Sequence, residues 1–252
     1  MIWRIDDSES YLFGSIHLLQ QEDSDLPSRV WEIFNRSSKV VFESNLSITD
    51  TPEFTLLEDG DSLDGLVPSN LYSSAAEKWN ALDIPLSLKC QKPWWAGILI
   101  GLFTTIHNGY ATEKGVDRQL WDACEKGTRH VLEDLNVLRA FDDAPFIEQQ
   151  TMLEQAIDSE ATLDEIAALV TAWRSFDLPA LESILDEKLA MLPITFGELL
   201  CGRNSKWTPK IIEHIQGGEP TIFVFGALHY VGECAIPKLL KEEGFHTTQI
   251  RA

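Results

Sequence analysis

The sequence predicts an α/β protein: a mostly parallel central sheet carrying large helical insertions. Three observations lead there. Two apolar runs, Tyr11-Leu12-Phe13 and Phe223-Val224-Phe225, each enter the same signature, Gly-x-x-His, as Gly14-Ser15-Ile16-His17 and Gly226-Ala227-Leu228-His229. Continuous apolar runs suit strands buried on both faces, and a terminal glycine allows close approach of backbone or ligand. The ends of the chain alternate strand and helix, the rhythm of a parallel sheet, while the stretches between them read as helical.

Taken in order, Trp3-Arg4-Ile5 and Tyr11-Leu12-Phe13 flank the polar Asp6-Asp7-Ser8-Glu9-Ser10 and form a hairpin. Val30, Ile33 and Phe34 share one helical face behind Pro27, which suits a first turn. Lys39-Val40-Val41-Phe42-Glu43 is a short buried strand ending in a carboxylate, as is His130-Val131-Leu132-Glu133. The apolar stretch from Pro93 to Ile106 is a buried helix, shorter than the roughly 20 apolar residues of a membrane span. Val116, Leu120 and Cys124 mark an amphipathic helix. Residues 143–216 are helical, with Thr162-Leu163-Asp164-Glu165 as a capping box, Asp177 before Pro179, and Thr208 as N-cap before Pro209. A strand over Thr221–Phe225, a helix within Gly232–Glu243 and a strand over Phe245–Ile250 close the chain. The expected organisation is one domain over 1–252 with helical insertions at about 44–115 and 143–216.

Composition excludes some partners. Forty acidic against 20 basic side chains give a formal charge of -20, which disfavours nucleic acid and anionic membranes, both of which require Lys and Arg. The 44% hydrophobic content supports a real core. Four cysteines without a CxxC pair suggest reduced thiols, and the N-terminus lacks the basic start and apolar core of a signal peptide, so a cytoplasmic protein is expected.

Four groups at predicted strand ends carry the chemistry: His17, Glu43, Glu133 and His229. Strand ends are where open α/β sheets bind ligands. Imidazole and carboxylate are natural ligands of a borderline divalent metal, and a second carboxylate can take a proton from metal-bound water. The structural alternative is a hydrogen-bonded histidine and a glutamate that caps a helix or pairs with Arg. Arg203-Asn204 is expected on a loop after Cys201-Gly202, read as a helix end, where a forked cation and an amide donor hold a carboxylate or an oxyanion, or where the Arg simply pairs with acidic surface. His107, His130, His214 and His246 read as structural or surface residues.

These elements together resemble the TraB/GumN family, which includes the Tiki proteases. The resemblance is carried by Phe13-Gly14-Ser15-Ile16-His17, Phe42-Glu43, Gly115-Val116-Asp117, Val131-Leu132-Glu133, Arg203-Asn204 with Trp207, and Phe225 through Gly232. It implies a fold related to erythromycin-esterase and haem-binding ChaN-like proteins. Tiki members look like metal-dependent peptidases using Mn or Co, which by analogy assigns metal binding to His17 and His229, with Glu43 as ligand or base. Zn is a further candidate. Glu133, Arg203 and Asn204 would line the pocket. No counterpart of the membrane anchor of Tiki proteins is expected in this sequence, so their extracellular substrates are not carried over.

The expected function is therefore a metal-dependent hydrolase acting on a peptide or other small molecule. The rival, suggested by the TraB and PrgY branches, is a non-catalytic protein that sequesters a peptide, or haem, in the same cleft. A third reading is an esterase-like hydrolase with a histidine base and no metal.

Overall fold

Strands β1 (Ile2–Ile5), β2 (Tyr11–Ser15), β3 (Lys39–Phe42), β4 (Arg129–Val131), β5 (Thr221–Gly226) and β6 (Thr247–Ile250) form one sheet, ordered β4-β3-β5-β2-β1-β6, in the computed structural model, which describes residues 1–47, 51–125 and 127–250. β4, β3, β5 and β2 run parallel, while β1 pairs antiparallel with both β2 and β6. The expected α/β architecture with a mostly parallel sheet is thus observed. The hairpin turn between β1 and β2 closes through Asp7, whose positive φ of 56° is a conformation that aspartate tolerates better than most residues.

The central strand β5 explains the apolar run that announced it. Ile222, Phe223, Val224 and Phe225 are all buried because β3 and β2 flank the strand. Its register sets Phe42 opposite Val224 and Ser15 opposite Gly226. The carboxyl ends of the four parallel strands therefore lie side by side, and His17, Glu43, Glu133 and His229 each follow one of them.

Two compact units are present: residues 1–48, 111–137 and 169–252, and residues 49–110 and 138–168. The first holds the sheet. Its helix Ser28–Arg36 buries Val30, Ile33 and Phe34, with Pro27 just before its first residue, and its helix Val116–Ala123 buries Val116, Leu120 and Trp121. The second unit is helical around a core that includes Leu71, Trp79, Leu99, Ile100 and Leu153. Its helices Pro93–His107 and Phe146–Ala156 approach closely at Gly97, where a Cβ would lie 2.8 Å from the Met152 carbonyl oxygen. Trp94 is wholly buried there, stacked on Phe141. No helix among the described residues is long and apolar enough to cross a membrane.

Residues 143–216 are helical as expected, but three local expectations are corrected. The helix Ser159–Ser175 begins before Thr162, and Asp158 accepts the capping hydrogen bond, from the Ala161 N–H. Thr162 instead bonds back to the Asp158 carbonyl. Thr208 lies inside the helix Arg203–Gln216, with Pro209 interior as well, and its hydroxyl donates to the Asn204 carbonyl. Arg203 and Asn204 are therefore on the first turn of a helix and not on a loop. The six residues Gly197–Gly202 form a wide π-helical turn that leads into it, so Gly202 continues a helix that the sequence suggested it would end. Wide turns of this kind recur at functional sites. Asp177 caps its helix as expected, accepting from Ala180.

Candidate functional site

All the predicted site residues belong to the sheet-bearing unit and meet at the carboxyl edge of its parallel strands. Arg203 is at the centre. Its Nη2 contacts Oε2 of Glu43 and lies 2.5 Å from Oε1 of Glu133, its Nε donates to that same Glu133 oxygen at 2.9 Å, and its guanidinium lies 4.4 Å from the Trp207 ring centre. A guanidinium keeps its charge and its fork geometry when buried, which suits a site with two carboxylates. Trp207 donates from its indole N–H to Glu133 Oε2 at 3.2 Å and packs on the His229 ring at 4.6 Å.

Glu43 Oε1 accepts the Gly226 backbone N–H at 2.5 Å and lies 3.7 Å from His229 Nε2. Burial pushes this carboxyl up, but Arg203, the two histidines and the Gly226 N–H outweigh it and bring its pKa down to about 2. Glu133 moves the other way: burial raises its pKa, and Arg203 only partly offsets that. For Arg203, the two carboxylates overcome the cost of burial and hold the positive charge more firmly.

Each histidine has its Nδ1 engaged. His229, 3% exposed, shares a 2.6 Å hydrogen bond with Oδ1 of Asn204. Burial, with Arg203 and His17 nearby, lowers its pKa to about 3, so the ring is neutral, with Nδ1–H donating to the amide oxygen. His17 Nδ1 lies 2.6 Å from Asp117 Oδ2, and that carboxylate raises the His17 pKa to about 9. The His17 side chain is 62% exposed, however, so water screens much of this attraction. Asp117 was legible only as part of the family pattern. It comes from the first turn of the helix Val116–Ala123, and the chain before it runs tightly against the His17 backbone: a Cβ on Gly115 would sit 2.2 Å from the His17 carbonyl oxygen.

Asn204 has a different place from the expected one. Only 1% exposed, it donates from Nδ2 to the carbonyls of Cys234 at 2.7 Å and His229 at 3.2 Å while its oxygen faces His229. Both N–H groups and the carbonyl are engaged, so its amide positions His229 and has no donor left for an oxyanion. The expectation of reduced thiols is also corrected: Cys201 and Cys234 form a disulfide, with Cα atoms 5.2 Å apart, while Cys90 and Cys124 are free. Their 33-residue separation hid the pairing, because only the return of β5 brings the two segments together.

Gly226 is the pivot of the site. A Cβ there would meet Glu43 Oε1 at 3.3 Å, the His229 ring carbon Cδ2 at 3.7 Å and His17 Nε2 at 3.8 Å, so side chains of three candidate site residues border the place its missing side chain leaves. With both Nδ1 atoms engaged, a metal would have to take the Nε2 atoms, and that of His229 already faces Arg203 Nη1 at 3.3 Å. By donor chemistry the set fits a divalent metal. Among the described residues, no group of three or more His, Cys, Asp or Glu side chains is already drawn to metal-holding distances. Arg203 is the cation that Glu43 faces.

The profile of the TraB/PrgY/gumN family matches residues 1–249. The chain belongs to this family. Among its relatives are the uncharacterized protein YbaP of Shigella flexneri, 27% identical over 92% of this chain and 88% of the relative, and YbaP of Escherichia coli (strain K12), 26% identical over 92% and 87%. No solved structure matches the chain. Within this TraB/PrgY/gumN member, His17, Glu43, Glu133, Arg203 and His229 are drawn into one cluster, with Asn204 behind His229.

Proposed function

We propose that this protein is a metal-dependent hydrolase of peptides or related small molecules, with its site at the carboxyl edge of β2, β3, β4 and β5. The observation that carries the reading is the space at Gly226 bordered by His17 Nε2, the His229 ring and Glu43 Oε1. His17, His229 and Glu43 would hold the cation, with Mn or Co as first candidates and Zn as the next. A divalent ion in such a set supplies a Lewis acid and lowers the pKa of a bound water. The other residues have roles of their own. Asp117 and Asn204 fix the ring orientations of His17 and His229. Arg203 offers positive charge to an anionic substrate group or a developing oxyanion, and burial, by raising the Glu133 pKa, makes that carboxyl a better proton acceptor than an ordinary glutamate.

The deciding experiment is elemental analysis of the purified protein with titration of Mn, Co and Zn, for wild type beside the double variant His17→Ala, His229→Ala. About one tightly bound metal, lost in the folded double variant, supports the reading and leads to a peptide-library screen. Equal affinity in both proteins overturns it. One observation favours the sequestration alternative: both carboxylates are tied to Arg203, a pairing that suits holding a ligand better than moving a proton. Stoichiometric ligand capture without product would decide for that alternative.

A further inference from the structure

We propose that the Cys201–Cys234 disulfide is the positioning element for His229, so that the second Gly-x-x-His unit is fully formed only in the oxidised protein, which works in an oxidising compartment. The bond joins the two segments that define this half of the site. Cys201 lies in the π-helical turn two residues before Arg203 and three before Asn204, and Cys234 lies five residues after His229. Across the same junction, Asn204 binds the carbonyls of both Cys234 and His229 and faces His229 Nδ1. One side chain thus reads the position of both ends of the segment 229–234, and the covalent bond fixes that segment against the turn from which Asn204 projects.

The Asn204 hydrogen bond ties Cys234 to the helix Arg203–Gln216, while Arg203 Nη1 and the Trp207 ring meet only the ring of His229 at the other end of the segment. Without the disulfide, the covalent tie is gone and the Asn204 amide is left to hold the Cys234 end, and a buried hydrogen-bond network with fewer ties opens more readily. His17 has no share in this, since its partner Asp117 stands on a separate helix. Opening the bond takes two electrons and two protons from a dithiol, which becomes a disulfide itself and leaves two thiols on the protein. A disulfide that serves a site in this way persists where the surroundings are oxidising; a reducing cytoplasm would hold both cysteines as thiols.

Two measurements on the full chain test this. The first is alkylation by iodoacetamide under denaturing, non-reducing conditions, read by mass spectrometry, on protein produced through an oxidising secretory route without added reductant. Labelling of Cys90 and Cys124 alone supports the proposal, and labelling of all four cysteines overturns it. The second is NMR of the imidazole ring nitrogens before and after treatment with a dithiol. In reduced protein that retains its far-UV circular dichroism, exchange of the His229 Nδ1 proton with solvent accelerates by about tenfold or more while the His17 ring is unchanged. An unchanged His229 ring in the folded, reduced protein overturns the proposal. Should reduction unfold the chain, the variant Cys201→Ala, Cys234→Val, which keeps an apolar contact in place of the bond, gives the same comparison. Any loss of peptide cleavage on reduction rests on the hydrolase reading. Ring exchange involves neither metal nor turnover, so the two ideas fail separately.

Discussion

The two Gly-x-x-His units match in spacing and differ in almost everything else. The first continues from strand β2 and leaves His17 largely in solvent, paired with the carboxylate of Asp117. The second turns at once into the short 3-10 helix Ala227–Tyr230, which buries His229 against the neutral amide of Asn204. Their glycines differ as well. Gly14 is closed in by protein, with Met1, Ala227 and Tyr230 against the place of its Cβ, whereas the same place on Gly226 is bordered by Glu43 and both histidines. The contrast separates two settings for one motif: an open unit whose ring pairs with a carboxylate, and a sealed unit whose ring is fixed by a neutral amide.

That contrast can be broken most forcefully at Arg203. Arg203→Ala leaves Glu43 and Glu133 buried without their counter-charge, and a loss of about 3–5 kcal/mol of stability is expected in urea titration. Retention of wild-type stability would show that the carboxylates find another partner and that the sealed unit does not depend on this ion pair. Next in size is Asn204→Ala, which removes the partner of the His229 Nδ1–H and of the His229 and Cys234 carbonyls; about 1–3 kcal/mol is expected by the same measurement. Gly115→Ala probes the open unit from behind, by pressing a methyl group into the His17 carbonyl, and calorimetry should show a destabilisation of about 1–3 kcal/mol. Asp117→Asn has the smallest stability effect, within about 1 kcal/mol, because solvent already screens its exposed partner. Its mark is spectroscopic: the His17 ring loses its charged partner and titrates at lower pH by NMR, with His229 untouched. A loss as large as that of Asn204→Ala would erase the distinction between the units.

Much of the site was legible along the chain because strand ends are. Apolar runs ending in Gly-x-x-His or in Glu announce buried parallel strands, and parallel strands necessarily align their carboxyl ends, so His17, Glu43, Glu133 and His229 could be grouped before any contact was known. The residues that act on them were harder to read. Cys201-Gly202 looked like a helix end because glycine usually marks one, yet the wide turn there runs on into the next helix and carries Arg203 and Asn204 with it. Asp117 acts on a histidine 100 positions away. Its role follows only from the close passage of Gly115.

The sequence by itself determined the α/β class, the parallel core and the four strand-end groups, because hydrophobic period and glycine placement act over a few neighbouring residues. Tertiary structure alone decided which partner each histidine received, that Asn204 supports a ring instead of facing a substrate, and that Cys201 meets Cys234. Those are choices between groups distant along the chain, and only the folded sheet makes them neighbours.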